Sequence, residues 1–407
     1  MVRDTGRMLA GLLEAGHIGA LEQMPSLIAK HAAYVGLHEV LIYLTDLQQQ
    51  VLRLLPAGDA DTADKPPAEL RIGNTVAGRG FMETRIVSRP GAEGEPDHWW
   101  IPLLDGTERL GMLRVSVRDA DDTDLVNMRA LASLAALLVA SKRSHSDSYA
   151  RLVRTRPMHV AAEMQWKLMP PLTFAHPEVV ICAAMEPAYE VGGDAYDYAI
   201  AGDVAHLGIF DAMGHDVSAG LTASLAVAAC RNNRRQDLGL AENTVNIEEV
   251  LISEFGRGTR FVTAILADLD TSTGMLSWVN RGHHPPVVIR GGRWTTSLTC
   301  PPAHPMGMGL DLPVVMCREQ LEPGDRVLLY TDGITEARSA GGREFGLSRF
   351  VDFIIRHTAD GLAAPETLRR LVHGVLDYHD GLLQDDATVL LVEWQGATQS
   401  RLTITAD

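Results

Sequence analysis

Apolar residues recur at helical spacing through MLAGLLEAGHIGALEQMPSLIAKHAAYVG, which predicts helix leading into a strand over residues 8–45. HEVLIYLTD and QQVLRLLP read as two strands joined at Asp46–Gln49. Residues 56–68 (PAGDADTADKPPA) are polar with Pro and Gly, the composition of an exposed loop. WWIPLLD and GMLRVSV then pair through an Asp105-Gly106 turn, and a long apolar helix runs from about Asp124 to Lys142. This order predicts an α+β module with an antiparallel sheet. Trp99, Trp100 and Tyr43 are large enough to line a pocket, but core packing is the stronger expectation for each.

Residues 144–171 read as a helical connector. Pro157 suits the start of a new helix, and MHVAAEMQWKLMPP keeps helical spacing until Pro170-Pro171 stops it. Beyond it the pattern turns strand-rich: EVVICAAMEPA, AHLGIFDAMG, RFVTAILADLD, MLSWVN, PPVVIR, DRVLLYTDG and ATVLLVEW. Helical stretches fall at Val217–Arg231, Ile247–Glu254, Leu347–Arg356 and Pro365–Tyr378. Many antiparallel-looking strands with two groups of helices predict a layered sandwich, sheets inside and helices outside.

The 407 residues suggest two or three domains, and 46% hydrophobic with 22% charged residues is ordinary globular composition. The net charge of −16 is uneven: −4 over residues 1–143 and −12 over 144–407. That argues against a nonspecific nucleic-acid binder, which needs a positive footprint. No run of about 18 uncharged apolar residues occurs and the N-terminus does not read as a secretory signal, so no membrane segment is expected and the cytoplasm is the expected location. Cys182, Cys230, Cys300 and Cys317 show no metal or disulfide spacing and read as free thiols.

Excess acid in the second half gathers in four clusters, each at a strand end or tight turn. They are Gly192-Gly193-Asp194-Ala195-Tyr196-Asp197, Asp211-Ala212-Met213-Gly214-His215-Asp216, Tyr330-Thr331-Asp332-Gly333, and Asp385-Asp386. An Asp-Gly after a strand is by itself a turn. Several acids converging from separate strands repel one another unless a cation lies between them, and hard divalent cations take such oxygen ligands.

These residues resemble the PPM-type (protein phosphatase 2C-like) serine/threonine phosphatases, in their SpoIIE-like branch. The resemblance runs from about residue 160 to 395 through EVGGDAYDY, GIFDAMGHD, RFVTAILADLD, NRGHHPP, LEPGDRVLLYTDGITEAR, REFG and QDDATVLLV. It implies an αββα sandwich over residues 172–396, a regulatory helix in 144–171, and a sensor in 1–143. The late strand pair, closing helix and size of that first module resemble a GAF domain, with a small-molecule or protein ligand implied. The implied chemistry is hydrolysis of phosphoserine or phosphothreonine by water activated by two ions, Mn²⁺ or Mg²⁺. The implied metal set is Asp194, Asp211, the Ala212 carbonyl, Asp332, Asp385 and Asp386, with Asp211, Asp332 and Asp385 central to catalysis; which of Asp385 and Asp386 coordinates stays open. The implied partner is a phosphorylated anti-anti-sigma (STAS-type) protein.

Three departures from the family pattern stand out. Asp216 replaces a glycine, and either restricts the backbone or adds an acid to the site. Arg281 replaces a small residue, and either meets substrate phosphate or forms a surface ion pair, the latter favoured. The segment RRQDLGLAENTVNIEEV is short and polar. His215 and His283 read first as structural. The helix at 157–169, with Met164 and Leu168, is expected to couple the sensor to the acid-bearing loops. The apolar run ALASLAALLVA either forms a homodimer seam within 124–156 or packs on its own sheet. The alternative function is a catalytically weak pseudo-phosphatase acting as a scaffold.

Overall fold

Asp4, ahead of the first apolar-periodic run, accepts the Arg7 backbone N–H at 2.8 Å and caps α1 (Thr5–Ile18). A computed structural model describes residues 4–57, 68–186, 188–190, 192–337, 342–378 and 385–396. The chain divides between Arg156 and Pro157 into two compact units.

The first unit continues with α2 (Met24–Ala32), β1 (His38–Thr45), β2 (Val51–Leu54), β3 (Glu69–Arg71), α3 (Val76–Glu83), β4 (Val87–Arg89), β5 (Asp97–Asp105), β6 (Glu108–Val117), α4 (Asp122–Arg143) and α5 (Asp147–Val153). Its strands form one antiparallel sheet in the order β3-β2-β1-β6-β5-β4. Met8, Leu12, Ile28, Leu131 and Ala135 from α1, α2 and α4 cover one face; Ala77 and Phe81 of α3 cover the other. Tyr43 and Trp100 pack in that second layer with ring centroids 5.3 Å apart, so both are core, and Trp99 is half-buried against the first layer.

A reciprocal Asp121–Asp124 capping box starts α4. By length and composition α4 could cross a bilayer, yet half of its apolar window is buried in its own unit. Most of ALASLAALLVA therefore packs on its own sheet, while Val126 and Leu137 stay exposed. The segment expected as one connector is divided: Tyr149 and Leu152 of α5 pack on the first unit, and the next helix belongs to the second.

The second unit contains α6 (Val160–Leu168), β7 (Thr173–His176), β8 (Val179–Glu186), β9 (Asp194–Ala201), β10 (Val204–Ala212), α7 (Val217–Arg234), α8 (Leu240–Phe255), β11 (Val262–Asp270), β12 (Met275–Arg281), β13 (Val287–Arg290), β14 (Trp294–Ser297), β15 (Met316–Gln320), β16 (Arg326–Tyr330), α9 (Asp332–Thr335), α10 (Leu347–Ala359), α11 (Ala364–Tyr378) and β17 (Ala387–Trp394). Two antiparallel sheets run β15-β12-β11-β10-β9 and β14-β13-β16-β17-β8-β7. Alternation along β8 explains the layers. Val179, Ile181 and Ala183 join the core shared with β10, β11, α7 and α8, whereas Val180 and Cys182 join Phe350, Ile354, Leu368 and Leu371 of α10 and α11. The expected sandwich of sheets inside and helices outside is present. The segment read as short and polar supplies most of α8, with Asn243, Thr244 and Ile247 turned inward.

Two expectations are corrected. Cys300 and Cys317 are joined in a disulfide across 17 residues, while Cys182 and Cys230 are buried and outside any disulfide. No local spacing announces that bond; a loop brings Cys300 beside edge strand β15. Arg281 is neither at the surface nor turned to a substrate. Its side chain is 1% exposed and its guanidinium pairs with Glu248 of α8 and donates to the His304 carbonyl at 3.0 Å. Burial pushes the Glu248 carboxyl up, but hydrogen bonds from Arg281, His304 and the Gly309 N–H outweigh it and hold the pKa below its ordinary value. Glu248→Ala would leave the guanidinium buried and unpaired, and chemical denaturation should register a loss of about 3–5 kcal/mol. Because the folded pKa is depressed, the Glu248 contribution is complete above its unfolded pKa of ~4.3 and is lost as pH falls through the lower folded value. The acid limb of the wild-type stability curve should accordingly be steeper than that of Glu248→Gln.

Candidate functional site

Asp211 is the penultimate residue of β10 and lies in register with Asp194, the first residue of β9, on one side and Thr263 of β11 on the other. Directly paired residues on adjacent strands share a face, so these two carboxylates are neighbours by construction. The facing sheet supplies the rest: Asp332 opens α9 just after β16, and Asp385 and Asp386 lead into β17. Asp194 and Asp386 are buried, Asp211 and Asp332 half-buried, and Asp385 exposed.

Protein donors hold the buried pair. Asp386 Oδ2 accepts the Gly193 N–H and, at 3.4 Å, the Asp194 N–H. Asp194 Oδ2 accepts the Thr331 hydroxyl at 2.6 Å, while Thr331 Oγ1 accepts the Thr388 N–H at 2.9 Å. Asp385 Oδ1 accepts the Asp386 N–H at 2.9 Å. A Cβ on Gly193 would run into the Ala212 and Gly214 carbonyl oxygens, which is why that position has no side chain. Gly214, at φ +91°, turns the chain away after Ala212.

Electrostatics registers the crowding. Burial, then the charges of Asp332, Asp385 and Asp386, push Asp211 up to about 7. Burial and the charge of Asp385 push Asp386 up to about 6, against the opposing Gly193 and Asp194 N–H donors and His215. Asp194 is raised well above the ordinary carboxylate range by burial and by Asp386 and Asp211. All five acids expected at the site therefore act on a common region. Among the described residues, however, no three His, Cys, Asp or Glu side chains close to metal-ligating spacing. Several of the oxygens instead meet protein donors.

The other expected residues separate. Asp197 is three residues from Asp194 and faces the opposite side of β9, where Arg231 and Arg234 of α7 hold it at 2.7–2.9 Å. Asp216 is the N-cap of α7: it accepts the Ala219 N–H at 2.8 Å, and Arg260 lies 3.7 Å away. It has φ −103°, so no glycine is needed there. His283 is buried, and its Nε2–H donates to the Tyr330 carbonyl at 3.1 Å while Nδ1 accepts the Thr263 hydroxyl at 2.8 Å. Burial and the neighbouring His284 lower its pKa to about 3, so it is a neutral clip between the sheets. His215 is exposed beside the cluster. Thr331, Thr263 and Gln165 were missed. Thr331 and Thr263 stand inside the acid-bearing or strand motifs, but nothing in a hydroxyl's sequence position says which carboxylate it meets.

Residues 201–395 match the family model for stage II sporulation protein E. The C-terminal half carries a SpoIIE domain. Protein IcfG of Synechocystis is 26% identical over 242 residues, 52% of this chain and 37% of that protein. The phosphoserine phosphatase RsbU of Bacillus subtilis is 21% identical over 237 residues, 58% of this chain and 69% of that one. The chain thus spans little more than a third of the cyanobacterial relative. The SiaA PP2C domain of Pseudomonas aeruginosa is 22% identical at a TM-score of 0.48, covering 57% of this chain and 94% of that domain.

Removing one charge tests the crowding. Because Asp211 has a raised folded pKa, its cost to stability is absent below about pH 4, grows as pH rises toward 7, and is complete above. Cation-free Asp211→Asn should melt above the wild type at pH 7.5, by ~2–4 °C for each kcal/mol of repulsion relieved, with the gain fading toward pH 4. Equal melting temperatures at pH 7.5 would show that the acids do not press on one another.

Proposed function

We propose that the second unit is a PPM-type, metal-dependent serine/threonine protein phosphatase and that the first is a GAF-like sensor that regulates it. The observation carrying this reading is Asp211, held among four other carboxylates with its pKa raised to about 7, inside a SpoIIE domain. Such an arrangement is costly alone and useful around cations. The donor set fits hard ions, being all oxygen: Asp211, the Ala212 carbonyl, Asp332 and Asp385 would hold two Mn²⁺ or Mg²⁺, with Asp194 and Asp386 beside them. When bound, such ions lower the pKa of water and neutralise charge on a phosphoryl group.

The chain's own contribution is to hold and orient. The Thr331 hydroxyl engages one oxygen of Asp194 and leaves the other for the site. The Gly193 and Asp194 N–H groups do the same for Asp386. Asp211 must release the proton that burial and crowding favour. His283 is tied and neutral, which removes it as an acid. His215, exposed near Asp386, is our choice for the group passing a proton to the leaving serine oxygen.

The substrate we favour is a phosphorylated anti-anti-sigma (STAS-type) protein, consistent with a curated relative being a phosphoserine phosphatase. The six-stranded antiparallel sheet with helices on both faces supports the GAF-like reading of the first unit. The departures that favoured a scaffold have structural roles, Asp216 as a helix cap and Arg281 as a buried clip. Full-length protein should release phosphate from a phosphoserine protein with Mn²⁺ or Mg²⁺, fall to background with chelator, and stay there in Asp211→Ala with either metal. Turnover that survives chelation or Asp211→Ala would overturn the reading.

A further inference from the structure

We propose that Gln165 is a positioning residue for the carboxylate cluster, its side-chain amide fixing the Gly192–Gly193–Asp194 backbone on which divalent-cation affinity depends. The proposal rests on the phosphatase reading for what the cluster binds. Gln165 sits on α6 and is 3% exposed. Its Nε2 donates to the Gly192 carbonyl at 3.1 Å and to the Asp194 carbonyl at 2.6 Å. A neutral amide carries two N–H donors in one plane, which suits two acceptors separated by one residue. A carboxylate there would repel both carbonyls, and an apolar side chain would leave both buried and unsatisfied.

Two further ties complete the lock. The Gly193 N–H meets Asp386 Oδ2, and the Gly193 carbonyl accepts the Ala212 N–H at 2.9 Å. The short glycine segment is thus held by α6, by the loop before β17 and by β10. Glycines resist such confinement because of their large backbone freedom, so the hold must come from outside the segment. Asp194 and Asp386 both hang on this backbone, one by covalent attachment and the other by hydrogen bonds. Two other ties of this helix go elsewhere: Trp166 Nε1–H donates to the Ala188 carbonyl at 2.8 Å, and the His159 N–H to the Tyr189 carbonyl at 2.9 Å. Gln165 alone among these three reaches the peptide units next to the acids.

The test compares two ties of the same helix. Mn²⁺ binding by calorimetry and amide hydrogen exchange at Gly193 and Asp194 would be measured on the full-length wild type, Gln165→Met, Gln165→Glu and Trp166→Phe. The Gln165 variants should bind Mn²⁺ about 10–100-fold more weakly, the usual cost of losing an outer partner of a metal site. They should also exchange the Gly193 amide at least ~10-fold faster, the amount expected when a closing hydrogen bond worth about 1.4 kcal/mol is lost. Trp166→Phe should stay within twofold on both measures, since it loosens α6 without touching this segment. Gln165→Glu serves if Gln165→Met fails to fold, and the reverse. Wild-type affinity and exchange in a folded Gln165 variant would overturn the proposal, as would an equal loss in Trp166→Phe. Failure of the wild type to bind Mn²⁺ at all would instead overturn the phosphatase reading, and the exchange measurements would still decide whether Gln165 holds the segment.

Discussion

Asp386 reaches back across almost two hundred residues of sequence to accept the Gly193 N–H, and through that bond the two sheets of the second unit share one cluster of acids. Five carboxylates gathered at strand ends repel one another, and burial first and that repulsion second raise the pKa values of Asp194, Asp211 and Asp386. What keeps them together is rigid backbone on either side and a few donors: two backbone N–H groups, the Thr331 hydroxyl and the Gln165 amide behind the glycines. The strain is local and the support is distributed, which is how a packed protein sustains an arrangement that water would disperse.

The sandwich decides where this support comes from. Asp194 and Asp211 belong to one sheet; Asp332, Asp385 and Asp386 come from strand ends of the other. The core between them, which includes Ile209 and Ile265 from one sheet and Ile181 and Leu390 from the other, sets the separation of the two half-sites. A change in that core would move acids that it never touches, because close-packed interiors transmit displacement. His283 adds a polar strut at the same level, joining Thr263 of one sheet to the Tyr330 carbonyl of the other.

The departures from the family pattern belong to this support rather than to the chemistry. Asp216 ends the turn after Asp211 by capping α7, so the helix starts at a defined residue. Arg281 ties the end of β12 to Glu248 of α8 and to the loop at His304. Both are charged groups that sequence context alone would assign to the site or to the surface. Their neighbours in space lie 3 to 44 residues away in the chain, and those neighbours decide their roles.

Much of this was legible in the chain. Strand-rich runs ending in aspartate, the helices outside them and the acids at Asp194, Asp211, Asp332, Asp385 and Asp386 follow from local periodicity and from what a rigid strand end can present. The polar strands β14 and β15 and the strand β9 were not read, because exposed edges lack apolar alternation and β9 carries two buried aspartates that mimic a loop. Only the tertiary structure turned Asp197 toward Arg231 and Arg234, buried Arg281, joined Cys300 to Cys317 and set Gln165 behind the glycines. The reason is physical. A residue's backbone state depends on its near neighbours, which sequence displays, but the partner of a hydroxyl, amide or charge depends on which distant strand the packing brings beside it.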